Sequence, residues 1–235
     1  MEKVIVLLRR APGAESDDNE WCARLRGPVA GRILDTGLPG LAVNVKDADV
    51  SASLMTLTTL DPPVCAVVSL WTQQCYGAQM RTVLDLLAAE CDQLAAYLVT
   101  ESVPMPPPDE PGTRTPGLAN VALLRRPAGL DVETWRTRWH IDHTPVAIQT
   151  QATFGYTQNE VVRALTSGAP AFAAIVEELF PAAAVSDLKT FFGAADDADL
   201  GDRLSRMVAS TSAFGANENI DTVPTSRFVL RSPFA

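Results

Sequence analysis

Apolar positions change period repeatedly along the chain, and the clearest change lies between Leu118 and Asn159. A short apolar run around Val121 and Leu123 reads as a strand. It ends in Arg125-Arg126, and Pro127-Ala128-Gly129 supplies turn chemistry. Val132, Trp135, Trp139, His143 and Val146 then recur at spacings of three and four, so they share one helix face at about 100° per residue. Asp131 is placed to cap this helix by accepting from a free backbone N–H. Glu133 adds negative charge at its positive end. His143 points with the two tryptophans, and His140 lies about 60° round, toward the flank. Pro145 predicts that the regular helix stops there. Phe154 to Asn159 follows as a second strand, with Tyr156 and Gln158 on one face.

The beginning of the chain repeats this order. Leu7-Leu8-Arg9-Arg10 maps onto Leu123-Leu124-Arg125-Arg126 at an offset of 116 residues. Arg26-Gly27-Pro28 maps onto His143-Thr144-Pro145 at 117, and Asn44 maps onto Asn159 at 115. Three anchors near one offset predict an internal duplication. Each copy reads β-α-β-β-α-β. In the first, the elements are expected near 3–10, 17–26, 40–47, 63–71, 76–96 and 97–103. Val83, Leu84, Leu86, Leu87, Leu94 and Tyr97 carry the helical period of the fifth. In the second, a strand is expected at 172–180. Its second helix falls at 182–192 or 202–211, with an acidic loop at 193–201 between them. The last strand falls at 228–230. Pro104–Pro116 lies between the copies, and six of its residues are proline. Such a segment is stiff and extended, cannot join a central sheet, and suits a strap. The expected organisation is therefore a divergent first lobe (1–103), a linker (104–116) and a second lobe (117–235).

Arg125, Arg126, Pro127, Trp135, Trp139, His143, Pro145, Tyr156, Gln158 and Asn159 together resemble the EthD family. Thr144 departs from its pattern, which often has Gly before the proline. The resemblance implies an α+β fold of ferredoxin-like lobes that pair their antiparallel sheets as a dimeric α+β barrel. With the duplication it implies that this pairing occurs within one chain, as a pseudo-dimer, with further homo-oligomerisation left open. Family members include an accessory protein of ether degradation and enzymes acting on polyketide intermediates.

Composition narrows the function classes. A hydrophobic content of 47% supports a core, while a net charge of −9 and pI near 4.7 argue against a nucleic-acid or anionic-membrane partner. No apolar run reaches the roughly 18 residues of a membrane span, and the first residues are too short for a signal peptide. Cys22, Cys65, Cys75 and Cys91 show no metal-ligand spacing and read as reduced thiols, so a cytoplasmic protein is expected.

His143 is the leading candidate for acid–base work, since an imidazole titrates near neutral pH. A histidine on a core face is also commonly a packed, hydrogen-bonded residue. Trp135 and Trp139 are core residues first, and can wall an apolar pocket. Tyr156, Gln158 and Asn159 form a polar run on an interior strand, which is costly unless it meets a pocket or water. Glu177 and Glu178 sit in an apolar strand, so alternation turns one of them inward. The family strand favours Glu178, matched to Ser69 in the first copy; a solvated edge strand is the ordinary alternative. Arg26 stands where the second copy has His143, so only the second lobe is expected to carry a site. His140 and His143 diverge too far to share a metal, and no metal or nucleotide motif completes a site. Related barrels bind haem through histidine, which leaves axial ligation by His143 as a minor alternative. The resulting expectation is a cofactor-independent lyase or isomerase. It would use His143 and Tyr156 on an apolar, oxygenated or aromatic small molecule held by Trp135, Trp139, His140, Gln158, Asn159 and Glu178. The alternative is a non-catalytic binding or accessory protein.

Overall fold

The computed structural model describes residues 1–11 and 18–234. Eight strands, all paired antiparallel, close into one barrel: β1 (Glu2–Arg9), β2 (Gly40–Val45), β3 (Val64–Thr72), β4 (Gln93–Met105), β5 (Leu118–Leu124), β6 (Gly155–Ala164), β7 (Ala174–Phe180) and β8 (Asp221–Arg231). Their order around the barrel is β1-β3-β2-β8-β5-β7-β6-β4. The first four strands thus lie as β4-β1-β3-β2 and the last four as β8-β5-β7-β6. The halves join edge to edge through β2 with β8 and β4 with β6, which leaves no open sheet edge. Among the described residues no helix is long and apolar enough to cross a membrane.

Helices cover the outside of each half. In the first half, α1 (Asp18–Arg24) runs through a π-helical turn, Leu25–Val29, into α2 (Ala30–Leu34), and α3 (Ala78–Ala88) follows β3. In the second half, α4 (Val132–Arg136) runs through a π-helical segment, Thr137–His143, into α5 (Thr144–Thr150). A 3₁₀ turn (Ala182–Val185), α6 (Leu188–Phe192) and α7 (Asp197–Phe214) follow β7. Asp131 caps α4 as expected, accepting from the Thr134 N–H at 2.9 Å. Gly215 ends α7 in a left-handed conformation with φ 78°, and a Cβ there would meet Pro127 at 2.2 Å.

Several boundaries differ from expectation. The first helix continues to Leu34, beyond Pro28, and Pro145 starts α5 rather than ending the helix. The π-helical register explains both. Thr144 N–H bonds Trp139 O, five residues back, so the helix re-registers where proline removes a donor. The fifth element stops at Ala88, and Leu94 and Tyr97 belong to β4. Both alternatives for the last helix are helical, and β8 starts seven residues before the expected 228. The expected helix start at 17 lies outside the described residues.

Three apolar clusters position the site. One, including Trp21, Leu25, Leu41, Val43 and Leu70, fills the space between the first-half helices and the sheet. A second plugs one end of the barrel interior with Leu7, Tyr97, Leu123 and Phe172. A third, with Trp135, Trp139, Tyr156 and Phe214, lies under the second-half helices. Against expectation, part of the proline-rich segment joins the sheet: β4 continues through Pro104 to Met105, which pairs with Tyr156 of β6 past a register irregularity that accommodates the proline, and Arg114 bridges to Phe228 of β8. Gly112 N–H bonds Val229 O and Thr115 N–H bonds Arg227 O, each at 2.8 Å, along a stretch of β8 beyond its pairing with β5.

Candidate functional site

Strand alternation sorts the candidate residues onto two faces. On the helix-covered face of the second half, one cross-strand row runs Asn120 (β5), Glu178 (β7), Tyr156 (β6). Trp135, Trp139, His143, Thr144 and Gln158 are buried there with them. His140 stands half-buried at the flank, its Nδ1 2.9 Å from Gln158 Oε1 and its ring 4.0 Å from that of Trp139. Gln158 Nε2 donates to Thr144 Oγ1 at 2.8 Å and to the Tyr156 hydroxyl at 3.3 Å. A hydrogen-bonded path therefore leads from the flank to the Tyr156–Glu178 row. Seven of the eight sequence candidates gather on this face. Asn159, one residue past Gln158, faces the barrel interior instead.

The electrostatics of this face are unusual. Glu178 is buried, and among the described residues no hydrogen bond reaches its carboxylate. Loss of water raises its pKa to about 7. Burial also lowers His143 to about 4, so the imidazole is neutral near pH 7. Its Nδ1 lies 2.9 Å from Ser210 Oγ, and its ring packs 4.9 Å from that of Phe214. Burial, and next the Glu178 charge, push the Tyr156 phenol upward, so it stays protonated. Among the described residues the Asn120 Oδ1 and Trp135 Nε1 atoms have no partner. Such groups cost stability when unpaired, so a helix–sheet contact built only for packing would exclude them.

Asn120 and Ser210 were missed by sequence reasoning, because nothing local distinguishes an asparagine in an apolar strand or a serine in a polar helix. Matching Glu178 to Ser69 is also corrected. Ser69 pairs with Ile5 as Glu177 pairs with Val121, and Leu70 pairs with Val4 as Glu178 pairs with Asn120. The counterpart of Glu178 is therefore Leu70. Matching Glu178 to Ser69 shifts the strand by one residue, which exchanges its two faces.

The other face encloses a cavity of about 250 Å³ in the barrel interior, above the apolar plug. Two charge pairs stand in its wall. Lys3 pairs with Glu101, and Lys3 Nζ lies 4.8 Å from the Trp71 ring. Burial lowers the Lys3 pKa, and Glu101 opposes that shift. Arg227 Nε lies 2.9 Å from Glu177, whose other oxygen accepts from Asn44 Nδ2 at 2.7 Å. Both glutamates of β7 are thus withdrawn from open solvent, in opposite directions.

Among the described residues no three His, Cys, Asp or Glu side chains converge as a metal site. Ser210 engages His143 Nδ1 and Phe214 packs against its ring, so that nitrogen is not open to a haem iron. The cysteines are free. Burial pushes Cys22 and Cys65 up to about 12 and Cys91 to about 11, so they remain thiols.

No family model matches the chain, and no curated protein is similar to it in sequence. Solved structures do share its architecture. An anthrone oxidase-like protein aligns over 100% of this chain and 95% of its own, with TM-score 0.53 and 10% identity. A Lactobacillus acidophilus protein provisionally described as a monooxygenase aligns over 98% and 96%, with TM-score 0.50 and 8% identity. Chlorite dismutase of Candidatus Nitrospira defluvii, bound to imidazole, aligns over 97% and 91%, with TM-score 0.50 and 12% identity. At these identities the likeness concerns the fold alone: the chain has the architecture of the dimeric α+β barrel proteins, an eight-stranded antiparallel barrel clothed in helices.

Proposed function

We propose that the chain is a tandem EthD-like protein whose two ferredoxin-like lobes (1–103 and 117–235) form a pseudo-dimer. Its second lobe transforms a mostly apolar, oxygenated or aromatic small molecule by proton transfer, as a cofactor-independent lyase or isomerase. The matching strand orders of the halves and the π-helical segment at both Arg26 and His143 support the duplication. One observation carries the functional reading: a buried carboxylate without a hydrogen bond, Glu178, lies beside a protonated phenol, Tyr156, under an aromatic helix face.

A carboxyl group titrating near pH 7 is suited to accept a proton next to a carbonyl. Tyr156, steadied by Gln158, can donate a hydrogen bond to the oxygen on which negative charge develops. His143, neutral at that pH, is a second proton acceptor, and the buried Trp135 and Trp139 are its apolar neighbours in the cluster under the helices. The test is hydrogen–deuterium exchange at carbon next to the carbonyl in a panel of hydroxylated aromatic ketones, followed by mass spectrometry in heavy water. Wild type exchanges a panel member, and Glu178→Gln and His143→Ala lose about 100-fold or more of the rate. Binding of panel members with no exchange in any of them would sink the enzyme reading.

The second reading is a non-catalytic binding or accessory protein. The observation in its favour is that His143 is held by Ser210 and Phe214 and takes no part in the barrel cavity.

A further inference from the structure

We propose that the barrel cavity is a second binding site, on the opposite face of the sheet, for a compact uncharged aromatic alcohol of about ten non-hydrogen atoms. This does not rest on the proton-transfer reading, because it uses none of the groups under the helices. The barrel interior is filled at one end by Leu7, Tyr97, Leu123 and Phe172, yet stays hollow at the other. Ile5, Val67, Val121 and Ile175 form an apolar floor, and Trp71 stands in the wall. Pro106, Pro107 and Phe234, which is exposed, complete the lining.

Two features set the ligand chemistry. Asn159 is 2% exposed and lines the cavity. Its Nδ2 donates to Ile175 O at 3.0 Å, which fixes the amide. Its Oδ1 has no partner among the described residues, so the unmet need is a hydrogen-bond donor. A ligand hydroxyl supplies one. Charge decides the rest. Lys3 and Arg227 are outnumbered in the lining by Glu101, Glu177 and Asp109, and both cations are already paired. A ligand carboxylate would have to displace a wall carboxylate and would add to a net negative lining. Volume sets the size. A cavity of about 150 Å³ takes benzene, so 250 Å³ suits a fused two-ring body.

The experiment is calorimetric titration of the full chain with 1-naphthol and with 1-naphthoate, together with a crystal structure of the 1-naphthol-soaked protein. Wild type is expected to bind one equivalent of 1-naphthol, and 1-naphthoate at least about tenfold more weakly. Density for the ring is expected inside the barrel, with its hydroxyl on Asn159. Ser69→Phe fills the cavity from a lining position and should abolish binding while keeping the melting temperature. Asn159→Leu keeps the shape without the acceptor and should weaken 1-naphthol about tenfold, which tests the site even if Ser69→Phe fails to fold. Naphthoate binding as tightly as naphthol, unchanged affinity in Asn159→Leu, density under the helices, or no binding at all would each overturn the proposal.

Discussion

The two halves of the barrel have the same strand order, yet their helix-covered faces have opposite chemistry. Where the first half has Val4, Leu41, Val43 and Leu70, the second has Asn120, Tyr156, Gln158 and Glu178 at the corresponding register positions. The first face is an apolar cluster. The second combines aromatic packing with a buried carboxylate, a phenol, an amide and a histidine. Arg26, opposite His143 in this comparison, lies over the Phe228 ring at 4.8 Å and 3.6 Å from Asp47. The contrast teaches that the first half already shows the inexpensive way to pack helices on this sheet. The polar groups of the second half lower stability relative to that solution, which supports the site proposed for them.

The largest effect should come from making the first half resemble the second. Leu70→Glu buries a carboxylate with no partner in an apolar cluster, and should cost roughly 3–5 kcal/mol or prevent folding. Urea denaturation at pH 8 measures this. A well-folded variant with near wild-type stability would mean that the two faces tolerate charge equally and that the contrast is incidental.

The reverse change should stabilise. The Glu178 pKa is raised, so the folded state holds the proton more tightly than the unfolded chain. Its favourable contribution is complete below about pH 4.5 and lost as pH rises through about 7. The difference between 4.5 and about 7 corresponds to about 3 kcal/mol at pH 8. Glu178→Gln should therefore be the more stable protein at pH 8 by up to that amount, with the gap closing toward pH 4.5. Denaturation midpoints measured across this range check the sign. A variant less stable than wild type at pH 8 would show that the ionised carboxylate is held by favourable contacts.

His143 acts in the opposite direction. Its pKa is depressed, so the unfolded chain binds the proton first, and stability falls as pH drops from about 6.5 toward about 4. Between pH 4.5 and 6.5 the two residues oppose each other and their slopes cancel. His143→Phe should remove the acid loss, a gain of about 2 kcal/mol at pH 5 relative to its effect at pH 8. Parallel pH profiles for variant and wild type would show that His143 titrates normally.

The smallest effect is expected at Arg26. A half-exposed ring contact and a 3.6 Å ion pair are together worth less than about 1 kcal/mol. Arg26→Ala should therefore change stability little and leave proton exchange by the second half intact. A loss of exchange comparable to that in His143→Ala would break the division of labour between the halves.

Much of this molecule was legible in its sequence. The alternation of periods two and 3.6 fixed the kinds of elements and their order, because side-chain direction repeats locally along strand and helix. The Asp131 cap and the shared face of Trp135, Trp139 and His143 came from the same local geometry. So did the pairing of Tyr156 with Gln158 on one side of β6. Element ends were less legible. Pro145 read as a break and the first helix was expected to end at 26, yet each helix passes its proline by re-registering through a π-helical segment, supported by packing against the sheet. Tertiary structure alone decided what each strand face meets. Closure of the barrel created an inside, and it sent Asn159 and Glu177 there while their neighbours Gln158 and Glu178 went under the helices. Lys3 meets Glu101 across 98 residues, and Asn44 meets Glu177 across 133. Periodicity tells which residues share a face. Only the closing of the sheet tells whether that face looks onto water, a helix or a cavity, because that depends on partners distant in the chain.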